Sequence, residues 1–99
     1  MKMDYFREKI LSGSYRFSDH AVKRMIKRSI SRDDVESIIH SGEIIEEYPE
    51  DKYSPSCLIS GKTEAGRTLH VLVSQTPVVV IITVYEPDPT EWINGKIRG

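Results

Sequence analysis

His20, Arg24 and Arg28 recur at every fourth position of the segment SDHAVKRMIKRSI, with Lys23 and Lys27 beside them. On a helix, side chains four apart share a face, so the first three form a row that the two lysines flank. Arginine presents a planar fork of donors that fits phosphate oxygens, and lysine adds a compact point charge. A histidine in the same row can take or give a proton near neutral pH. Its cationic neighbours and first-turn position disfavour another positive charge there, as suits a general base. The pattern therefore points to binding of a phosphodiester, or proton transfer at one. A solvated basic helix face with an incidental histidine would have the same spacing.

A second candidate set comes from the later, strand-like half: Thr68, His70, Thr83 and Tyr85. Histidine and tyrosine can exchange protons or orient a phosphate, and threonine can donate a hydrogen bond. Together the two sets nominate His20, His70, Thr83 and Tyr85 for catalysis. Lys23, Arg24, Lys27 and Arg28 are the candidate RNA or phosphate ligands. For the second set, a half-buried sheet face explains the same residues. His40 reads as a partner of a helix C-terminus, Cys57 as core, and Phe17 and Trp92 as packing anchors. Lys52 and Tyr53 form a weaker candidate for RNA contact. No metal or cofactor is expected, because His20 and His70 lack an evident third ligand and there is no glycine-rich phosphate loop.

These side chains need elements to hold them. Residues 3–11 read as a first helix stopped by Ser12-Gly13-Ser14. Ser18 is a good N-cap for a second helix to Arg28, with Ala21, Val22, Met25 and Ile26 at the 3.6-residue period. Ser31, followed by Asp33 and Asp34, opens a third helix that stops at Ser41-Gly42. Strands are predicted at 43–48, 56–62, 67–74 and 78–86, closed by Pro87 and Pro89, with a helical turn over 91–96 capped by Thr90.

An even-length connection between the last two strands would set Val73 opposite Val78 and His70 opposite Ile81. Leu69, Val71, Val73, Val78, Val80, Ile82 and Val84 would then make the core face. Thr68, His70, Ser74, Thr83 and Tyr85 would share the other face with Leu72, Val79 and Ile81. The expected architecture is one α+β domain over 1–99. Its helices, at about 3–41, pack on a four-stranded antiparallel sheet at about 43–86.

Composition narrows the function classes. The chain has 99 residues, of which 38% are hydrophobic and 29% charged, and a net charge of −1. The longest apolar run, Val78 to Ile82, is strand-sized, and the N-terminus has no signal-peptide core, so a cytoplasmic protein with no membrane role is expected. One cysteine excludes an internal disulfide framework. The near-zero net charge conceals a split. Residues 16–32 carry six cations against Asp19, whereas residues 33–51 carry eight acids and no Lys or Arg. Either the halves pair with each other, or each meets its own partner. The acidic stretch 43–51 is then a candidate protein interface.

The ordered set FSDHAVKRMIKRSIS, GRTLHVLV and VVVIITVYEPDP resembles the bacterial family known as domain of unknown function 4258. The likeness runs from about Phe17 to Trp92. One departure is Ser29, where family members often carry glycine. That family is in turn similar to RelE and BrnT toxins of the barnase–colicin–RelE group. The resemblance implies helices followed by a four-stranded antiparallel sheet. It also implies a metal-independent RNA endonuclease toxin, cleaving by 2′-hydroxyl attack, with RNA as substrate (free or on the ribosome) and an antitoxin as partner. A homodimer is compatible with it. The alternative is a non-catalytic RNA- or protein-binding module of the same fold.

Overall fold

The computed structural model describes residues 2–50, 54–75 and 77–98. α1 (Met3–Leu11) carries one fully buried side chain, Phe6, and lies against the third helix. α2 (Asp19–Arg28) starts where predicted: Ser18 Oγ accepts from the Ala21 N–H at 3.0 Å and so satisfies an orphan donor of the first turn. α3 (Arg32–Ser41) opens with a reciprocal cap. Ser31 Oγ accepts from the Asp34 N–H, and the Asp34 carboxylate accepts from the Ser31 N–H, both at 3.0 Å.

The sheet corrects the expectation of four antiparallel strands. It has five strands and is mixed, in the order β1-β5-β4-β3-β2. β1 (Tyr15–Phe17) pairs in parallel with β5 (Val79–Tyr85), while β2 (Glu43–Tyr48), β3 (Ser56–Lys62), β4 (Thr68–Ser74) and β5 form antiparallel neighbours. Three residues are too short for a period-two signal. Tyr15 and Phe17 nonetheless need a place to pack, and pairing with β5 sets both against the core.

The β4–β5 register also differs from the even-loop expectation. Ser74 pairs with Val80 and Val73 with Ile81, so Val79 and Ile81 point into the core while Val78 is exposed. A bulge then inserts Ile82, after which Leu72 pairs with Thr83, Val71 with Val84 and His70 with Tyr85. The slipped loop inverts the first half of β5, and the extra residue inverts it back. His70, Thr83 and Tyr85 consequently share the outer face, as the sequence suggested, although by a different register.

The helices cover the other face. Phe6, Ala21, Met25, Val35, Ile38 and Ile39 form a single core with Ile59, Leu69, Val71, Val73, Ile81 and Val84. α3 lies over β3 and β4, whereas α2 lies over β5 near the sheet edge. That marginal seat buries only Ala21 and Met25 of α2. Val22 and Ile26, expected on its packed face, are 42% and 76% exposed. No helix among the described residues is long and apolar enough to cross a membrane.

The predicted helical turn at 91–96 is instead a small hairpin, β6 (Trp92–Ile93) with β7 (Ile97–Arg98). Asn94 and Gly95 adopt φ of +55° and +71°. Such left-handed pairs suit hairpin turns, and a single helical turn has too few bonds to compete. The proposed contact at Lys52 and Tyr53, the acidic stretch's Asp51, and Thr76 of the β4–β5 connection lie outside the described residues.

Candidate functional site

α2 displays its cations as the four-residue spacing predicts. His20, Lys23, Lys27 and Arg28 are exposed and Arg24 is half-buried. Among the described residues, Lys23, Arg24, Lys27 and Arg28 form no ion pair. Four acids of the next segment are used elsewhere. Asp34 caps α3, and Glu36 binds the Tyr15 hydroxyl at 2.6 Å and Arg32 at 3.5 Å. Glu43 pairs with Lys96 and Glu46 with Arg98. Among the described residues, cross-pairing between the basic and acidic halves therefore does not neutralise the lysines and arginines of α2.

The end of α2 is held by a residue not nominated for a role, Arg67. Its guanidinium donates to the Ser29 and Arg28 carbonyls at 3.0 and 3.1 Å and to Glu86 at 2.8 Å. This cation satisfies carbonyls that a helix C-terminus leaves without partners. It also ties α2 to the start of β4 and the end of β5. At the other end, the Ser18 hydroxyl donates to the Ile82 carbonyl at 2.7 Å, and the Ser18 N–H to Ile81 O at 3.0 Å. The helix thus runs beside the part of β5 that β1 leaves unpaired, since β1 reaches only Val79–Ile81.

The second set occupies the outer face. His70 is fully buried and edge-on to the Tyr85 ring, with centroids 5.2 Å apart, and edge-on to Trp92 at 4.5 Å. Its Nε2 is 2.5 Å from the Gly95 carbonyl oxygen, which can only accept, so Nε2 carries the proton. In the neutral ring Nδ1 is then the acceptor, and the Tyr85 hydroxyl donates to it at 3.2 Å. Burial holds the His70 pKa below the ordinary histidine range, against the opposing influence of the Gly95 bond. Burial also raises the Tyr85 phenol above its usual value. The pair is neutral and fully occupied.

Beside it runs a chain the sequence reading missed. The Arg98 fork grips Glu46 through Nε to Oε2 at 2.8 Å and Nη2 to Oε1 at 3.2 Å. Tyr48 donates its hydroxyl to the same carboxylate. The Arg98 bond keeps the Glu46 carboxyl below the usual carboxylate range, and Arg98 also lies over the Trp92 ring at 4.5 Å. The available signal was Asn94-Gly95, a hairpin dipeptide, which would have folded Arg98 back toward the sheet.

The two candidate sets lie on opposite sides of the sheet. Ala21 and Met25 seat α2 on the core face, and His70 sits across from it beneath Trp92. What they share is the open edge of β5. Near it lie two polar atoms that are buried and without hydrogen-bond partners among the described residues, Arg24 Nε and Thr83 Oγ1. Buried polar groups are normally satisfied, so both atoms, an N–H donor and a hydroxyl that can donate or accept, are exceptions to that rule. His40 sits in the last turn of α3, and Cys57 is buried, its thiol pushed up to about 12 by desolvation. Among the described residues, no three His, Cys, Asp or Glu side chains gather as metal ligands.

No curated protein and no solved structure matches this chain. One family does, and it covers the second helix, the whole large sheet beyond β1 and both candidate sets. With residues 17–86 matched, the chain belongs to the family described as Domain of unknown function (DUF4258).

Proposed function

We propose that the chain is a toxin-type, metal-independent RNA endonuclease that grips the phosphate backbone with α2. The observation that carries this reading is the unpaired row of Lys23, Arg24, Lys27 and Arg28 among the described residues. An anionic polymer supplies the counter-charge that the fold does not. Arg24 and Arg28 would stabilise charge on the reacting phosphate, and Thr83 would position it. His20, exposed in the same row, would take the proton from a ribose 2′-hydroxyl. The 2′-oxygen would then bond to the adjacent phosphorus as the bond to the 5′-oxygen breaks, and Tyr85, at the β5 edge that the two sets share, would protonate that leaving oxygen in place of the enclosed His70. The products would be a 2′,3′-cyclic phosphate and a 5′-hydroxyl.

Incubation of the purified protein with RNA in EDTA tests this reading. Cleavage that His20→Ala or His70→Ala abolishes supports it. No cleavage, or cleavage indifferent to both substitutions, overturns it.

The enclosure of His70 favours a second reading, an RNA-binding module without catalysis. Both ring nitrogens are bonded, and the ring is out of reach of a bound strand. Salt-sensitive RNA binding with no cleavage would support this alternative. An antitoxin partner and a cytoplasmic location belong to the same proposal.

A further inference from the structure

The hairpin β6–β7 shares no ladder with the five-stranded sheet. Pro87 and Pro89 precede it, and neither can donate a backbone bond. The link between is organised locally, with Asp88 Oδ1 accepting from both the Thr90 N–H and hydroxyl at 2.8 Å. Two strands of two residues are not stable alone, so the hairpin holds its place through its inner face.

That face consists of few contacts. Trp92 covers His70 at 4.5 Å. The Gly95 carbonyl accepts from His70 Nε2 and, at 3.0 Å, from Ser60 Oγ. Arg98 grips Glu46, and Lys96 reaches Glu43 at 2.7 Å. The opposite face carries the cross-strand pair Ile93 and Ile97, which are 54% and 64% exposed and add nothing to the hold. Beneath the hairpin lies a polar floor of Glu46, Tyr48, Ser60, His70 and Tyr85, all groups that remain satisfied in water once uncovered. Uncovering an apolar core costs the lost burial, whereas a polar floor regains hydration, so the cost of opening falls mainly on the Trp92 ring, which is 4% exposed when shut.

We propose that the C-terminal hairpin is a displaceable lid over the His70–Tyr85 pair, latched by the Arg98 fork on Glu46. When shut, its Gly95 carbonyl occupies Nε2 of His70 and its Trp92 ring covers the imidazole, whose Nδ1 is bonded to Tyr85. When open, it frees a histidine and a tyrosine on one face of the sheet, together with Thr83 at the edge. The lid itself stands on the contacts above; its consequence for RNA rests on the function proposed in the preceding section.

The chain's single tryptophan, Trp92, reports the lid directly. Acrylamide quenching of Trp92 fluorescence and diethyl pyrocarbonate modification of His70 are measured on the full chain and on Arg98→Ala and Glu46→Gln. Both signals are expected to rise, roughly severalfold, as for a locally opening unit that has lost one charge-assisted fork. The unfolding midpoint followed by far-UV circular dichroism should stay near that of the parent. The inference is overturned if Trp92 and His70 stay protected in both variants, or if protection is lost only together with the global transition. If the lid opens in the variants and RNA cleavage still does not appear, the lid stands and the catalytic reading falls.

Discussion

Ser29 holds a backbone that side-chain-bearing residues avoid, with φ of +54° at the C-cap of α2. A Cβ in that region costs on the order of 1 kcal/mol that glycine does not incur. Ser29→Gly should therefore raise the melting temperature, by about 4–8 °C for each kcal/mol gained in a domain of this size. An unchanged or lower midpoint would show that the Ser29 side chain matters more than its backbone. At the same scale, Lys27 is exposed and unpaired among the described residues. If it meets a phosphate, Lys27→Ala should reduce the slope of log affinity for single-stranded RNA against log salt by about 0.7. Binding titrations at several salt concentrations measure that slope. A weaker affinity with the same slope would place Lys27 outside the phosphate contacts.

At the scale of elements, two junctions carry the helices. Ser18 both caps α2 and donates to the Ile82 carbonyl beside the bulge, so one hydroxyl fixes the helix start and its seat on β5. Ser18→Ala should cost about 1–2 kcal/mol by chemical denaturation, the worth of a cap and a tertiary hydrogen bond. α3 meets β3 at Gly42, where a Cβ would come closer than 3.0 Å to the backbone carbonyls of Ile38 and Ser60. Backbone cannot yield as a side-chain tip can, so Gly42→Ala should destabilise by about 1–3 kcal/mol. A neutral result would mean that α3 can slide on the sheet. Sequence signals were strong for these elements because caps and period are local. Ser18, Ser31 and Gly42 each mark a boundary within a residue or two. The strand β1 was not legible, and the hairpin β6–β7 was signalled only by its Asn94-Gly95 turn, because two- and three-residue strands exist only by virtue of what they pack on.

At the scale of the molecule, the fold separates its charges and couples one titration to stability. His70 is buried among Tyr85, Trp92, Ser60 and the Gly95 carbonyl, with Glu46 and Arg98 nearby, and its folded pKa lies below the ordinary value. A depressed histidine pKa means that the unfolded chain binds the proton more readily. Stability is therefore complete above the ordinary histidine value of about 6.5 and is lost as pH falls below it. Melting temperature should decline as pH falls from about 6.5 toward 5, and His70→Gln should flatten that decline. Glu46, whose pKa is also lowered, contributes above the ordinary carboxylate range and loses its part only below about pH 4.5, so the two windows separate. A decline that persists unchanged in His70→Gln would assign the proton elsewhere.

The amino-acid order by itself determined the three helices, their caps, the four long strands and the aligned cationic row of α2. Each of these depends on residues within a few positions of one another, where spacing and side-chain type are the physics. It also indicated that Thr83 and Tyr85 share a face, because strand alternation is local, and it set His70 on that face through a loop register that the structure replaces with a slipped loop and a bulge. Only the tertiary structure decided that β1 joins the sheet, that a bulge at Ile82 restores the alternation, and that, among the described residues, the acids beyond α2 leave its lysines and arginines without ion pairs. It alone brought Trp92, Gly95 and Arg98 onto His70 and Glu46, across 25 and 52 residues of chain. Contacts so distant in sequence leave no period to read, and packing selects them after the local elements have formed.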